Sequence, residues 1–163
     1  QMSTKHKNLS ETNLKENKLF KKLKVTIIVA EWNANITESL CVGAANFLLE
    51  AGVKMDNITI HHVPGTFELA LACKWAAEKT NANAVIALGC VIQGETRHFD
   101  FICDAAANGI MQAGLDTGTP IVFGVLTTEN MKQATERAGG KHGNKGVEAA
   151  ETALKMCLLH QKF

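Results

Sequence analysis

Leu88-Gly-Cys-Val-Ile-Gln-Gly-Glu-Thr-Arg-His-Phe-Asp100 is the stretch that decides the fold. An apolar run ends at a glycine turn, and a threonine and a histidine then open a stretch with helical spacing. A buried strand that feeds a glycine loop and a helix start is a repeating unit of parallel α/β sheets. The same unit makes an anion site, because the unpaired N–H groups at a helix N-terminus point outward and carry partial positive charge. Thr96 adds a hydroxyl there, and His98 adds a group that takes up and releases protons near neutral pH. Read alone, the segment is equally an ordinary strand–turn–helix with a surface histidine.

The pattern repeats on either side. Val25-Thr-Ile-Ile-Val-Ala30 is a continuous, largely β-branched run, expected as a strand buried on both faces. Residues 36–51 have helical spacing, with Leu40, Ala44, Phe47 and Leu48 on one face; Asn35 and Glu38 are spaced as a capping box, and Gly52 is a stop signal. Further strands are expected over 58–63, 84–92 and 121–127, and helices over about 67–79 and 98–115. A short helix over 130–138 is interrupted by Gly139-Gly140. The last helix starts near Asn144 and carries Val147, Ala150, Leu154, Cys157 and Leu158 on one face. Alternating strands and helices predict an α/β protein: a three-layer αβα sandwich around a four-stranded parallel sheet, flavodoxin-like in type. Ligands of such sheets bind outside the carboxyl ends of the strands. That rule selects the loops at 31–35, 63–68 and 93–98.

With 163 residues the chain has room for one domain with a proper core. Residues 1–22 are rich in Lys, Asn and Glu, with few apolar points, and are expected as a polar, flexible tail before a single domain at 23–163. The alternative is an arm that orders against a neighbouring subunit. A formal charge of +1 argues against nucleic-acid binding. Five cysteines lie scattered in apolar runs with no C-x-x-C pair, which points to small hydrophobes in a reducing cytoplasm. No apolar stretch approaches a bilayer span, and the first residues lack a signal-peptide core. His61 and His62 are adjacent on a strand and face opposite ways, so no metal site is expected.

Single residues then divide between two readings each. Trp32, directly after the first strand, offers a flat face for a heteroaromatic ring, or packs against a helix. Glu68 in a first helical turn is ordinary dipole compensation, or accepts hydroxyl protons from a polyol. Arg137 and Lys145 flank Ala138-Gly-Gly-Lys-His-Gly-Asn144. They suit a mobile phosphate, unless Glu148 or Glu151 pairs with Lys145 on the helix surface. The helix before Arg137 leads away from the sheet's carboxyl edge, so both cations are candidates to serve a neighbouring subunit's site.

Four ordered motifs carry a family resemblance: Val63-Pro-Gly-Thr-Phe-Glu68; Ala87-Leu-Gly-Cys-Val-Ile92 with Gly94-Glu-Thr-Arg-His-Phe-Asp100; Phe123-Gly-Val-Leu-Thr127; and Arg137 followed by Gly143-Asn-Lys-Gly-Val-Glu-Ala-Ala150. From Leu23 to the C-terminus the chain resembles the 6,7-dimethyl-8-ribityllumazine synthase family of riboflavin biosynthesis. The resemblance implies 5-amino-6-(D-ribitylamino)uracil and 3,4-dihydroxy-2-butanone 4-phosphate as substrates, and no cofactor. It implies that Trp32, more often phenylalanine in the family, stacks on the pyrimidine. Thr66, Phe67, Glu68, Cys90, Val91 and Ile92 would line the pyrimidine and ribityl pocket. Glu95 and Thr96 would bind the phosphate, and His98 would move protons. From the adjacent subunit Phe123 would close over the ring, Arg137 would bind phosphate and Lys145 would support the charged cluster. The family also implies a homo-oligomer, either a pentamer or a shell of twelve pentamers, with riboflavin synthase as a candidate partner. The short turn from Arg137 to Lys145 favours the shell, and the lysine-rich tail opposes it. Two rivals share the architecture: a flavin- or nucleotide-binding module, and a non-catalytic shell protein. The loop Glu31-Trp-Asn-Ala-Asn35 lacks the small hydroxylated residues that usually cradle a flavin phosphate.

Overall fold

The computed structural model describes residues 10–163. Strands β1 (Val25–Ala30), β2 (Ile58–Val63), β3 (Ala84–Ile92) and β4 (Ile121–Thr128) form one parallel sheet in the order β2-β1-β3-β4. Helices α1 (Ala34–Ala51), α2 (Leu69–Lys79), α3 (His98–Thr117), α4 (Met131–Glu136) and α5 (Lys145–His160) connect and cover it. None of them is long and apolar enough to cross a membrane.

The period of two along each strand builds two separate cores. Val25, Ile27, Val29, Ile86, Leu88 and Cys90 face one side, where they meet Leu40, Ala44 and Leu48 of α1 and Ala150 and Leu154 of α5. Ile28, Ala30, Val85, Ala87 and Val125 face the other side, against Leu69 and Cys73 of α2 and Ile110 of α3. Fully burying a large aliphatic side chain is worth about 1.5–3 kcal/mol, so the doubly covered strands β1 and β3 carry much of the stability. Strand β2 is an edge and its middle residues are exposed, which is why its sequence is the most polar of the four. The expected αβα sandwich is therefore present, flavodoxin-like in architecture.

Local details differ from the sequence reading in ways that have a cause. The capping box does not form. Helix α1 starts at Ala34, behind Asn33 in the left-handed region, while Glu38 lies 2.7 Å from His62 Nε2 on β2. Gly52 does end α1, at φ 115°, with its N–H on the carbonyls of Leu48 and Leu49. Helix α2 starts two residues later than expected, after a 3-10 turn at Thr66–Glu68. The short helix before Arg137 stops at Glu136, capped at its start by the Asn130 side chain. The glycine-rich stretch after it forms a small antiparallel hairpin, β5 (Ala138–Gly140) with β6 (Gly143–Asn144). Gly139 and Gly143 take the positive φ values that so tight a turn requires.

The expected polar tail falls partly outside the described residues. Within them, Lys18–Lys22 forms a 3-10 turn whose Phe20 is 1% exposed and packs with Leu23 into the α1 side of the core. Ser10 donates to the Asn144 carbonyl at 3.0 Å and accepts from the Asn144 N–H at 2.7 Å.

Candidate active site

Three loops meet where the carboxyl ends of β1, β2 and β3 come together. Strand β1 leads into Trp32, β2 leads through Pro64-Gly65 to Thr66, and β3 leads through Gln93-Gly94 to the start of α3. Together they enclose a cleft of about 690 Å³, within the usual range for a small-molecule site. Trp32, Thr66, Phe67, Glu68, Cys90, Val91, Ile92, Thr96 and His98 all line it. Trp32 is 73% exposed and Phe67 61%, so neither aromatic is spent on the core. The reading of Trp32 as a helix-packing residue therefore fails, and two large exposed rings line a cleft that also holds Glu68, Thr96 and His98.

The polar groups are set by backbone geometry. Helix α3 has no side-chain cap in the usual position, because Arg97 stands there. Instead the His98 N–H reaches back to Thr96 Oγ1 at 3.4 Å, a weak contact that leaves the helix start able to receive an anion. Arg97 turns away toward the opposite face, 3.9 Å from Asp100 and over the Phe101 ring at 5.8 Å. Asp100 is thus engaged by Arg97. Cys90 is buried, and burial pushes its thiol up to about 11. At neutral pH it is a small apolar wall and not a nucleophile. Glu95 is exposed in the same loop but outside the cleft lining.

Phe123, Lys145 and Arg137 lie elsewhere. Phe123 and Lys145 line a second, more apolar cleft of about 850 Å³ along the outer edge of β4, between α3 and α5. Arg137 belongs to neither cleft. Its guanidinium holds Glu148 at 2.7 Å and donates to the His142 carbonyl. The Ser10 hydroxyl lies 3.0 Å from the same Glu148 and shares its one hydrogen between that carboxylate and the Asn144 carbonyl. Glu151 pairs with Lys155 at 2.7 Å. Both carboxylates weighed as partners for Lys145 are therefore engaged by other residues. Among the described residues Lys145 has no ion-pair partner, although its N–H donates to the Arg137 carbonyl at 2.8 Å. Phe123 and Lys145 line a different cleft from Trp32 and His98, and Arg137 lines neither, so one chain does not gather these residues in one site.

The family model for 6,7-dimethyl-8-ribityllumazine synthase matches residues 22–161. A protein of that name from Porphyromonas gingivalis is 55% identical, over 98% of this chain and 99% of its own length. The chain belongs to the lumazine synthase family. Another relative with the same name, from Cytophaga hutchinsonii, is 61% identical over 80% of this chain and 82% of its own. One from Flavobacterium johnsoniae is 45% identical over 99% and 85%. Family membership makes the chain an enzyme and does not favour the flavin-module reading.

The cleft of this lumazine synthase family member also contains Asn33, Gly65 and Gly94, which lie within the three selected loops but were given no role of their own, and Phe99 and Ile102, which lie beyond those loops. Phe99 and Ile102 follow His98 at helical spacing and were legible as the inner face of α3. Asn33 falls in the selected loop at 31–35, but no local signal marks what its side chain does there.

Proposed function

We propose that this chain condenses 5-amino-6-(D-ribitylamino)uracil with 3,4-dihydroxy-2-butanone 4-phosphate to 6,7-dimethyl-8-ribityllumazine, phosphate and water, the penultimate step of riboflavin biosynthesis. The observation that carries the reading is the convergence of Trp32, Phe67, Glu68, Thr96 and His98 on one cleft. The pyrimidine stacks on Trp32, and Thr66 and Phe67 line the pocket beside it. Glu68 accepts hydrogen bonds from the ribityl hydroxyls. The Thr96 hydroxyl and the positive end of α3 hold the phosphate.

The chemistry needs positioning and proton movement. The pyrimidine's 5-amino group adds to the ketone, and the carbinolamine loses water to give an imine. Loss of a proton beside it expels phosphate and leaves an enol, which becomes a ketone. The ribityl-bearing nitrogen closes on that carbonyl, and water leaves. His98 sits at the mouth of the anion site and carries protons between these steps. Holding both reactants in register is worth about 7–11 kcal/mol, and acid–base help a further 10²–10⁴-fold or so. Incubating the protein with both substrates checks the reading: lumazine fluorescence should rise with equimolar phosphate. A folded protein that yields neither would overturn it.

The site is shared in this proposal. Phe123 and Lys145 at the β4 edge, together with Arg137 at the end of α4, complete the cleft of an adjacent copy, with Arg137 taking the phosphate. Two variants test this. Trp32→Ala and Arg137→Ala, each nearly inactive alone, should recover about a quarter of wild-type activity when co-assembled in equal amounts, because random neighbours rebuild that share of intact sites. No recovery in assemblies shown by mass spectrometry to be mixed would put the whole site within one chain.

The assembly is a pentamer, and the short hairpin between Arg137 and Lys145 favours twelve pentamers closing into a cytoplasmic shell, with riboflavin synthase as the partner to be enclosed. Sedimentation separates about 90 kDa from about 1 MDa, multiples of the 17.6 kDa chain. A lone pentamer across salt and protein concentrations excludes the shell and leaves the active-site proposal intact.

A further inference from the structure

Trp32 is a bulky, mostly exposed indole on a connecting loop, and loops with exposed side chains are ordinarily mobile. This one is fastened on both sides. Toward β2, the sheet seam continues past the strand ends: the Glu31 N–H donates to the Val63 carbonyl at 2.8 Å, and the Trp32 N–H to the Pro64 carbonyl at 3.2 Å. Toward β3, the backbone seam closes earlier, with Val29 opposite Leu88. There a side chain takes over. Asn33 Nδ2 donates to the Cys90 carbonyl at 2.9 Å, extending the β1–β3 seam beyond the point where backbone pairing stops.

The backbone shows that this contact is built in. Asn33 has φ 60° and ψ 46°, and among the described residues it is the one non-glycine residue with positive φ. Asparagine is among the few side chains that tolerate the left-handed region. Its carbonyl starts α1 by accepting from Ile36 at 2.9 Å and Thr37 at 3.0 Å, yet its side chain makes no capping bond to that helix. The amide that would ordinarily cap the helix is turned across to β3 instead. Thr37 closes the remaining gap by donating to the Ala30 carbonyl at 2.7 Å.

We propose that Asn33 is a positioning residue: its amide bond to Cys90 and its left-handed backbone hold the Trp32 ring preorganised over the cleft as a stacking platform. For its ligand class, a flat heteroaromatic ring, this inference rests on the proposed function. The fixing of Trp32 itself does not depend on it. Asn33 acts through Trp32 and needs no contact of its own with the substrate.

The test uses a Trp75→Phe background, because Trp75 on α2 is the other tryptophan of the chain and lies outside the cleft. Asn33→Gly accepts the backbone angle but removes the amide; Asn33→Asp keeps the size and the backbone tolerance but cannot donate. In the absence of ligand, both should lower the anisotropy of Trp32 emission and raise its quenching by acrylamide, with the melting temperature little changed for the glycine variant. Affinity for 5-amino-6-(D-ribitylamino)uracil should then fall about 3–10-fold, the cost of ordering one freed side chain on binding. Affinity for inorganic phosphate should stay at the parent value. Adding Asn33→Gly to Trp32→Ala should weaken the pyrimidine no further. Parent-like anisotropy in both variants overturns the proposal, and so does an equal loss of affinity in the Trp32→Ala background. A protein that makes no lumazine and binds no pyrimidine would defeat the proposed function, while the ligand-free anisotropy still decides the role of Asn33.

Discussion

Replacing Gly146 by alanine should destabilise the protein by about 3 kcal/mol or more, beyond the common range for a small-to-large change. Helix propensity alone predicts the opposite sign, since alanine is favoured over glycine inside a helix by about 1 kcal/mol. Contact geometry outweighs it. A Cβ at Gly146 would lie 1.9 Å from the Leu40 carbonyl oxygen and 2.6 Å from its carbon. Both are backbone atoms of α1, so no rotamer change relieves the clash, and α1 and α5 must separate. The same contact explains how α5 is seated. Asn144 caps α5 by accepting from the Gly146 and Val147 N–H groups at 2.8 and 3.2 Å, and its Nδ2 donates to the Ser39 carbonyl of α1 at 3.1 Å. In a domain of this size 3 kcal/mol lowers the melting temperature by about 6–12 °C, readable by calorimetry. Gly94→Ala, whose Cβ would meet nothing within 4 Å, is the control and should melt close to wild type. A Gly146→Ala protein that melts with the control would mean that the two helices do not pack as closely as described.

The second large effect concerns turnover. His98→Ala should slow the chemical step by roughly 10–10³-fold without abolishing it, because positioning by the cleft survives loss of the proton carrier. His98 is exposed at the first residue of α3, and its backbone N–H contact to Thr96 Oγ1 does not involve the ring. The variant should therefore melt like wild type, and any loss can be read as chemistry. Single-turnover measurement isolates that step from product release. Near wild-type rates under those conditions would remove His98 from the proton path.

Strand bounds were the most legible part of the chain. Val25–Ala30, Ile58–Val63 and Ala84–Ile92 coincide with the expected runs, and β4 extends its run by one residue, to Thr128. These are short apolar runs bounded by turn residues, a signal that lies within a handful of positions. The loops that meet in the cleft were equally legible, because a parallel sheet puts all its strand ends on one edge whatever the strand order. Helix starts were less so. The capping box at Asn35 failed because α1 starts behind Asn33, in the left-handed region two residues earlier, and Glu38 meets His62 on β2 instead. The Asn33 amide in turn finds the Cys90 carbonyl, 57 residues away.

By itself the sequence determined the layered α/β architecture and the three loops of the cleft, since both follow from spacing along the chain, while most of the residues that line the cleft were implied by the family motifs rather than by spacing. Only the tertiary structure decided the strand order β2-β1-β3-β4, and with it the separation of Phe123 and Lys145 from the Trp32 cleft. It also decided the ion pairs. Arg137 holds Glu148 rather than leaving it to Lys145, and Ser10 reaches the same carboxylate from 138 residues away. The physical reason is the range of the interactions. Periodicity and turn chemistry act between near neighbours and are written in local order. Which carboxylate meets which cation, and which amide finds a carbonyl across a sheet, depends on where packed elements come to rest.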